Sequence, residues 1–110
     1  MFRGGFAQST VTDLERAEDW YARLLGRAPD AQPMPGLLEW HLVEGFGVQV
    51  WSDPERAGRS TVVLEVSDLD GVAERLTAAG IDHGGPQPGG GVRILPLADP
   101  DGNRVVLTGA

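Results

Sequence analysis

Val11-Thr12-Asp13-Leu14-Glu15-Arg16-Ala17, running on to Leu24-Leu25-Gly26, and Val66-Ser67-Asp68-Leu69-Asp70-Gly71-Val72, running on to Ala78-Ala79-Gly80, are two copies of one pattern. Each reads as the end of a strand, a helix N-cap, an amphipathic helix and a glycine stop. Asp13 and Asp68 lie 55 positions apart in a chain of 110 residues, so the chain reads as two similar halves. Thr12 with Glu15 has capping-box spacing, and Ser67 with Asp70 is a variant of it. Leu14, Ala17, Tyr21, Leu24 and Leu25 recur at helical spacing, as do Leu69, Val72, Ala73, Leu76 and Ala79. Asp13 and Asp68 are read as structural, because a carboxylate favours the positive end of a helix dipole.

Outward from these stretches the same order repeats. Gly5 to Val11 is β-compatible, with Phe6, Gln8 and Thr10 alternating against Ala7, Ser9 and Val11. Pro33, Pro35 and Gly36 mark a loop, and Leu37–Glu44 with Gly47–Ser52 reads as a hairpin turning at Gly45-Phe46. Asp53 to Arg59 connects the halves. Ser60 to Val66 is a strand rich in β-branched residues, Ile81 to His83 a short strand, and Gly84 to Gly91 a loop. Val92–Leu97 and Arg104–Leu107 are joined by Asp99-Pro100-Asp101-Gly102-Asn103, in which Asp opens the turn, Pro presets φ and Gly or Asn accepts φ > 0. The expected architecture is α+β, β-α-β-β-β twice, in one domain over 1–110 with module 1 at about 1–56 and module 2 at about 57–110.

Composition narrows the function classes. There is no cysteine, which removes disulfides, thiolate metal sites and cysteine nucleophiles. No apolar run approaches the roughly 20 residues that span a bilayer, and the expected location is the cytoplasm. The net charge of −7 opposes phosphate backbones, so nucleic acid is not an expected partner, and without a spanning apolar run neither is a membrane. Ser9, Ser52, Ser60 and Ser67 have no nucleophile-elbow spacing. The run Gly84 to Gly91 lacks the Lys-Ser/Thr and the following helix of a P-loop, so it is read as a flexible loop.

Val-Thr-Asp-Leu-Glu-Arg-Ala with Trp20-Tyr21 and Leu24-Leu25-Gly26, and the closing Leu97-Ala98-Asp99-Pro100-Asp101-Gly102-Asn103-Arg104-Val105-Val106-Leu107, resemble the vicinal oxygen chelate superfamily. That superfamily includes glyoxalase I, bleomycin-resistance proteins, fosfomycin-resistance enzymes and extradiol dioxygenases. The match covers nearly the whole chain. It implies paired βαβββ modules whose curved mixed sheets enclose a concave ligand site, commonly completed in a homodimer. It does not imply one activity, so function rests on the site.

The resemblance also implies where a divalent metal is usually held, through His and Glu side chains. Those positions fall here at Phe6, Thr61, Val106 and about Gln49. Phe and Val have no donor atoms, and neutral Thr or Gln is a weak ligand for zinc, iron or nickel. The expectation is no metal, no cofactor and a chain that leans away from enzymatic activity. Glu39 and His41 are read as the solvated face of a strand whose Leu38, Trp40 and Leu42 pack inward, with a Glu39/His41/Glu65 metal cluster as the alternative.

Phe6, Gln8, Trp40, Gln49, Trp51, Thr61 and Val106 are the candidates for lining the cavity, where aromatic side chains suit stacking on a flat ligand. Parity leaves open which face Trp40 and Trp51 take. The leading expectation is a non-metal binder of a small aromatic or amphipathic molecule, similar to the bleomycin-resistance branch. A metal-dependent lyase, isomerase or dioxygenase with a relocated site is the alternative, and a dimeric regulatory module with a vestigial cavity is the third reading.

Overall fold

The computed structural model describes residues 1–110, and its order is β1 (Gly5–Val11), α1 (Leu14–Leu25), β2 (Ala31–Met34), β3 (Leu37–Val43), β4 (Phe46–Ser52), β5 (Thr61–Glu65), α2 (Leu69–Ala78), β6 (Gln87–Pro88), β7 (Arg93–Ala98) and β8 (Arg104–Gly109). One sheet has the order β1-β4-β3-β2 and the other β5-β8-β7-β6. In each, the first strand pairs parallel to the last and the remaining pairs are antiparallel. The chain is therefore two βαβββ modules in tandem, an α+β fold.

Both helix starts sit one residue later than capping-box spacing suggests. Asp13 caps α1 by accepting from the Arg16 amide at 3.2 Å, and Asp68 caps α2 by accepting from the Gly71 amide at 3.1 Å. The backbone decides this, because Asp13 and Asp68 carry the first carbonyls to accept helical bonds, from Ala17 and Val72. Thr12 is free for another partner and donates its hydroxyl to Asp101 at 2.7 Å. Gly26 closes α1 at φ 78°, the left-handed conformation a C-cap needs.

Three further expectations are corrected. The Pro33 region is not only loop. Ala31–Met34 forms β2, and a proline is tolerated there because β2 is an edge strand with one unpaired side. Ile81–His83 forms no strand. The His83 ring instead lies against the side of α2, its Nε2 2.8 Å from the Thr77 hydroxyl and 3.0 Å from the Ala73 carbonyl, while Nδ1 accepts from the Gly85 amide. The short strand of this half is β6, inside the glycine loop. The first hairpin turns at Glu44-Gly45 rather than Gly45-Phe46, with Gly45 at φ 80°.

One apolar core serves both modules. Ala17, Trp20, Tyr21 and Leu24 of α1 and Leu69, Ala73 and Leu76 of α2 pack with Val11, Leu38, Trp40, Val48, Val50, Val62, Leu64, Leu95 and Leu107 in a single cluster. The helices meet at their C-terminal ends, where Arg75 donates to the Arg23 and Leu24 carbonyls and Arg23 to the Ala79 carbonyl. β1 and β5 lie side by side along the seam between the modules.

One end of that seam is closed by the turn Asp99–Asn103. Asp99 Oδ1 accepts from the amides of Asp101 and Asn103, and the Gly102 amide bonds the Asp99 carbonyl at φ 88°. From this turn Asn103 donates to the Thr10 carbonyl at 2.8 Å and accepts from the Ser60 amide at 2.8 Å. The phenol oxygen of Tyr21 lies 2.7 Å from both Asp99 Oδ2 and Ser9 Oγ. With one proton, it donates to the carboxylate and accepts from the serine. Burial, first of all, pushes the Tyr21 hydroxyl well above its usual range, so it stays a donor.

Candidate functional site

Strand alternation decides which side chains leave the core. In β1, Ser9 and Val11 are buried and Phe6, Gln8 and Thr10 point the other way. The parallel register sets Phe6 beside Gly47, Gln8 beside Gln49 and Thr10 beside Trp51. The antiparallel register then adds His41 beside Gly47, Glu39 beside Gln49 and Leu37 beside Trp51. The face turned away from the helices in module 1 is thus three rows deep. Module 2 repeats the arrangement, with Thr61, Val63 and Glu65 of β5 beside Arg104, Val106 and Thr108 of β8.

Six of the seven cavity candidates, Phe6, Gln8, Gln49, Trp51, Thr61 and Val106, lie on this helix-free face. Trp40 does not, and its candidacy is corrected. It occupies the opposite parity of β3, is 0% exposed, and donates its indole N–H to the Arg27 carbonyl at 2.9 Å. An indole needs a partner for its N–H when buried, and the turn that follows α1 supplies one. Trp51 is half-buried on the helix-free face.

The middle of the module 1 face is a continuous polar ladder. Gln8 Nε2 donates to Gln49 Oε1 at 2.9 Å, Gln49 Nε2 donates to Glu39 Oε2 at 2.8 Å, and Glu39 Oε1 lies 2.7 Å from His41 Nε2. The Glu39 side chain is only 14% exposed while that of His41 is 53% exposed. The Gln49 amide first, and then the His41 ring, hold the Glu39 carboxyl below its usual range, so an anion sits mid-face. Phe6 is 46% exposed beside the ladder, its ring centroid 6.1 Å from that of His41. Gly47 leaves room for it: a Cβ there meets the Phe6 ring at 2.8 Å and the Trp40 carbonyl at 2.2 Å.

Sequence alternation by itself reveals only half of this ladder. Glu39 and His41 do share one strand face, as alternation requires, yet the partner that engages Glu39 comes from β4, and register is not encoded locally.

The donor set does not fit the metal that this fold commonly carries. Phe6 and Val106 bring no donor atom, Thr61 brings a neutral hydroxyl, and both ends of the Gln49 amide are engaged. Glu39 and His41 are paired with each other, whereas Glu65 lies across the seam, and no three His, Asp or Glu side chains converge anywhere. The Glu39/His41/Glu65 cluster is not assembled.

A family model described as a glyoxalase-like domain matches residues 7–108. The chain is 31% identical to a glyoxalase/bleomycin resistance protein from Catenulispora acidiphila, over 98% of each chain, with a TM-score of 0.90. A glyoxalase/bleomycin resistance protein from Streptomyces sp. CB03234 is 25% identical, over 94% of this chain and 97% of that one, with a TM-score of 0.76. TnmS3, an antibiotic binding protein from Streptomyces sp. CB03234, is 24% identical over 99% and 96% of the two chains, with a TM-score of 0.81. No curated protein matches the sequence. No helix is long and apolar enough to cross a membrane.

Proposed function

Because the chain belongs to the glyoxalase-like domain family of the vicinal oxygen chelate superfamily, we propose that it binds a small aromatic or amphipathic molecule on its helix-free face, without a metal. The observation that carries this reading is that Phe6 and Val106 bring no donor atom to this face while the Gln49 amide is engaged at both ends in the ladder. Phe6 and Trp51 offer flat apolar surface on either side of that ladder, which supplies fixed donors and acceptors to orient a ligand. The fold is shared with an antibiotic binding protein, which is compatible with the reading. The proposal includes a cytoplasmic location and a homodimer.

Isotope-labelled protein titrated with a panel of aromatic antibiotics and metabolites tests the binding claim. At least one compound is expected to shift Phe6, Gln8, Gln49 and Trp51 resonances saturably, and equally well after exhaustive chelation. Tight, stoichiometric metal with loss of binding on chelation overturns the metal-free claim. Sedimentation at two concentrations separates dimer from monomer.

A further inference from the structure

The two ends of the β1–β5 seam are related by the internal repeat, but they are not built alike. At the end where β1 finishes, the Asp99–Asn103 turn fills the space with hydrogen bonds to Thr10, Thr12, Ser60 and Tyr21. At the other end the matching hairpin turn is only Glu44-Gly45, and Leu64 and Leu76 stand where Ser9 and Tyr21 stand in the first half. No polar clasp forms there. An open groove of about 330 Å³ is left between the hairpin and β5, lined by Leu42, Val43, Phe46, Val63, Leu64 and Glu65. A smaller cavity of about 160 Å³ shares Leu42, Leu64 and Glu65 with it and leads toward the helices.

Two features suit this groove to a ligand. First, the β3–β4 register slips between His41 and Val43, so Leu42 and Val43 together oppose Phe46. Such a bulge re-aims side chains. It leaves Val43 67% exposed next to Phe46, facing a Val63 that is 57% exposed. Second, the only charged group on the groove wall is the Glu65 carboxylate, and no cation lies within ion-pair distance of it. Arg75, which borders the smaller cavity, is held by the α1 carbonyls.

We propose that this groove is a binding site for a small hydrophobic cation, an organic ammonium whose charge meets Glu65 and whose body lies on Val43, Phe46 and Val63. The apolar walls offer dispersion and area burial, the Phe46 ring face favours a quaternary or protonated amine, and the lone carboxylate selects positive over neutral or negative ligands. The groove adjoins the module 1 face at its Phe6–His41 end, where Val43 and Phe46 border the same depression, and lies away from Trp51.

Benzyltrimethylammonium, with neutral benzyl alcohol as control, tests the assignment by amide chemical-shift titration of the intact protein. The ammonium is expected to shift the amides of Val43–Phe46 and Val63–Glu65 saturably and to bind more tightly than the alcohol. Glu65→Gln is expected to weaken it roughly two- to fivefold, the size of an exposed charge pair, without changing the alcohol. Val63→Lys, at an exposed position, is expected to abolish ammonium binding while the spectrum stays folded. Unaffected groove amides, shifts confined to Gln8, Gln49 and Trp51, or a Glu65→Gln affinity equal to wild type each overturn the proposal. So does concentration-dependent shifting of these amides in the protein alone, which means that a second copy covers the groove.

Discussion

Single side chains carry more than their local roles at two positions. Tyr21 sits on the apolar stripe of α1, and stripe spacing alone assigns it to core packing. It is buried, but its hydroxyl also ties α1 to Asp99 in the other half. Tyr21→Phe keeps the packing and removes the donor, leaving a buried carboxylate with one partner fewer. A loss of roughly 1–3 kcal/mol is expected in urea unfolding. Glu39 is the second position. Its folded-state pKa is depressed by Gln49 and His41, so its contribution is complete above its ordinary value near 4.5 and is lost as pH falls through the lower folded value. Glu39→Gln is therefore expected to be less stable than wild type at neutral pH, with the deficit shrinking below about pH 4.5. Urea midpoints for both proteins across pH 2–7 check this. A deficit independent of pH removes the ionic explanation.

At the level of elements, the helices were the most legible parts. Their starts, stripes and stops are local, because a cap bonds an amide three residues on and a stripe repeats within two turns. Even so, spacing alone does not say which of Thr12 and Asp13 caps α1; the backbone places the first helical carbonyl on Asp13, and the Thr12 hydroxyl, left free, bonds Asp101 from the far end of the chain. Edge strands were the least legible. β2 contains Pro33 and β6 is Gln87–Pro88, so neither displays strand composition, and each exists only because a neighbour, β3 or β7, offers its backbone. Strand packing makes one further prediction. Gly47→Ala forces a Cβ against the Trp40 carbonyl and the Phe6 ring. It is expected to cost roughly 1–3 kcal/mol and to shift Phe6 resonances, measured by thermal unfolding and NMR. Gly5, with open space around its Cβ position, is the control that is expected to tolerate alanine there.

For the whole molecule, the two modules share a core, so neither half has a complete one. Trp40 and Tyr21 of the first half belong to the same cluster as Leu69, Leu76 and Leu95 of the second. Residues 1–56 or 57–110 expressed alone are expected to lack cooperative unfolding, since fragments of that size bury too little surface unaided. Mixing the two is expected to restore it, and circular dichroism melts of each fragment and of the mixture provide the check. The chain by itself determined the repeat, the helices, the closing turn and hence the family, because these rest on spacings of a few residues and on φ restrictions at Gly26, Gly102 and Pro100. It also shows that Phe6 and Val106, on the helix-free face, are residues without donor atoms. Only the tertiary structure decided that Trp40 turns inward while Trp51 turns outward, that Gln8, Gln49, Glu39 and His41 form one ladder, and that one end of the seam is clasped while the other is open. Those outcomes depend on strand register and on contacts between residues tens of positions apart, which no local pattern encodes.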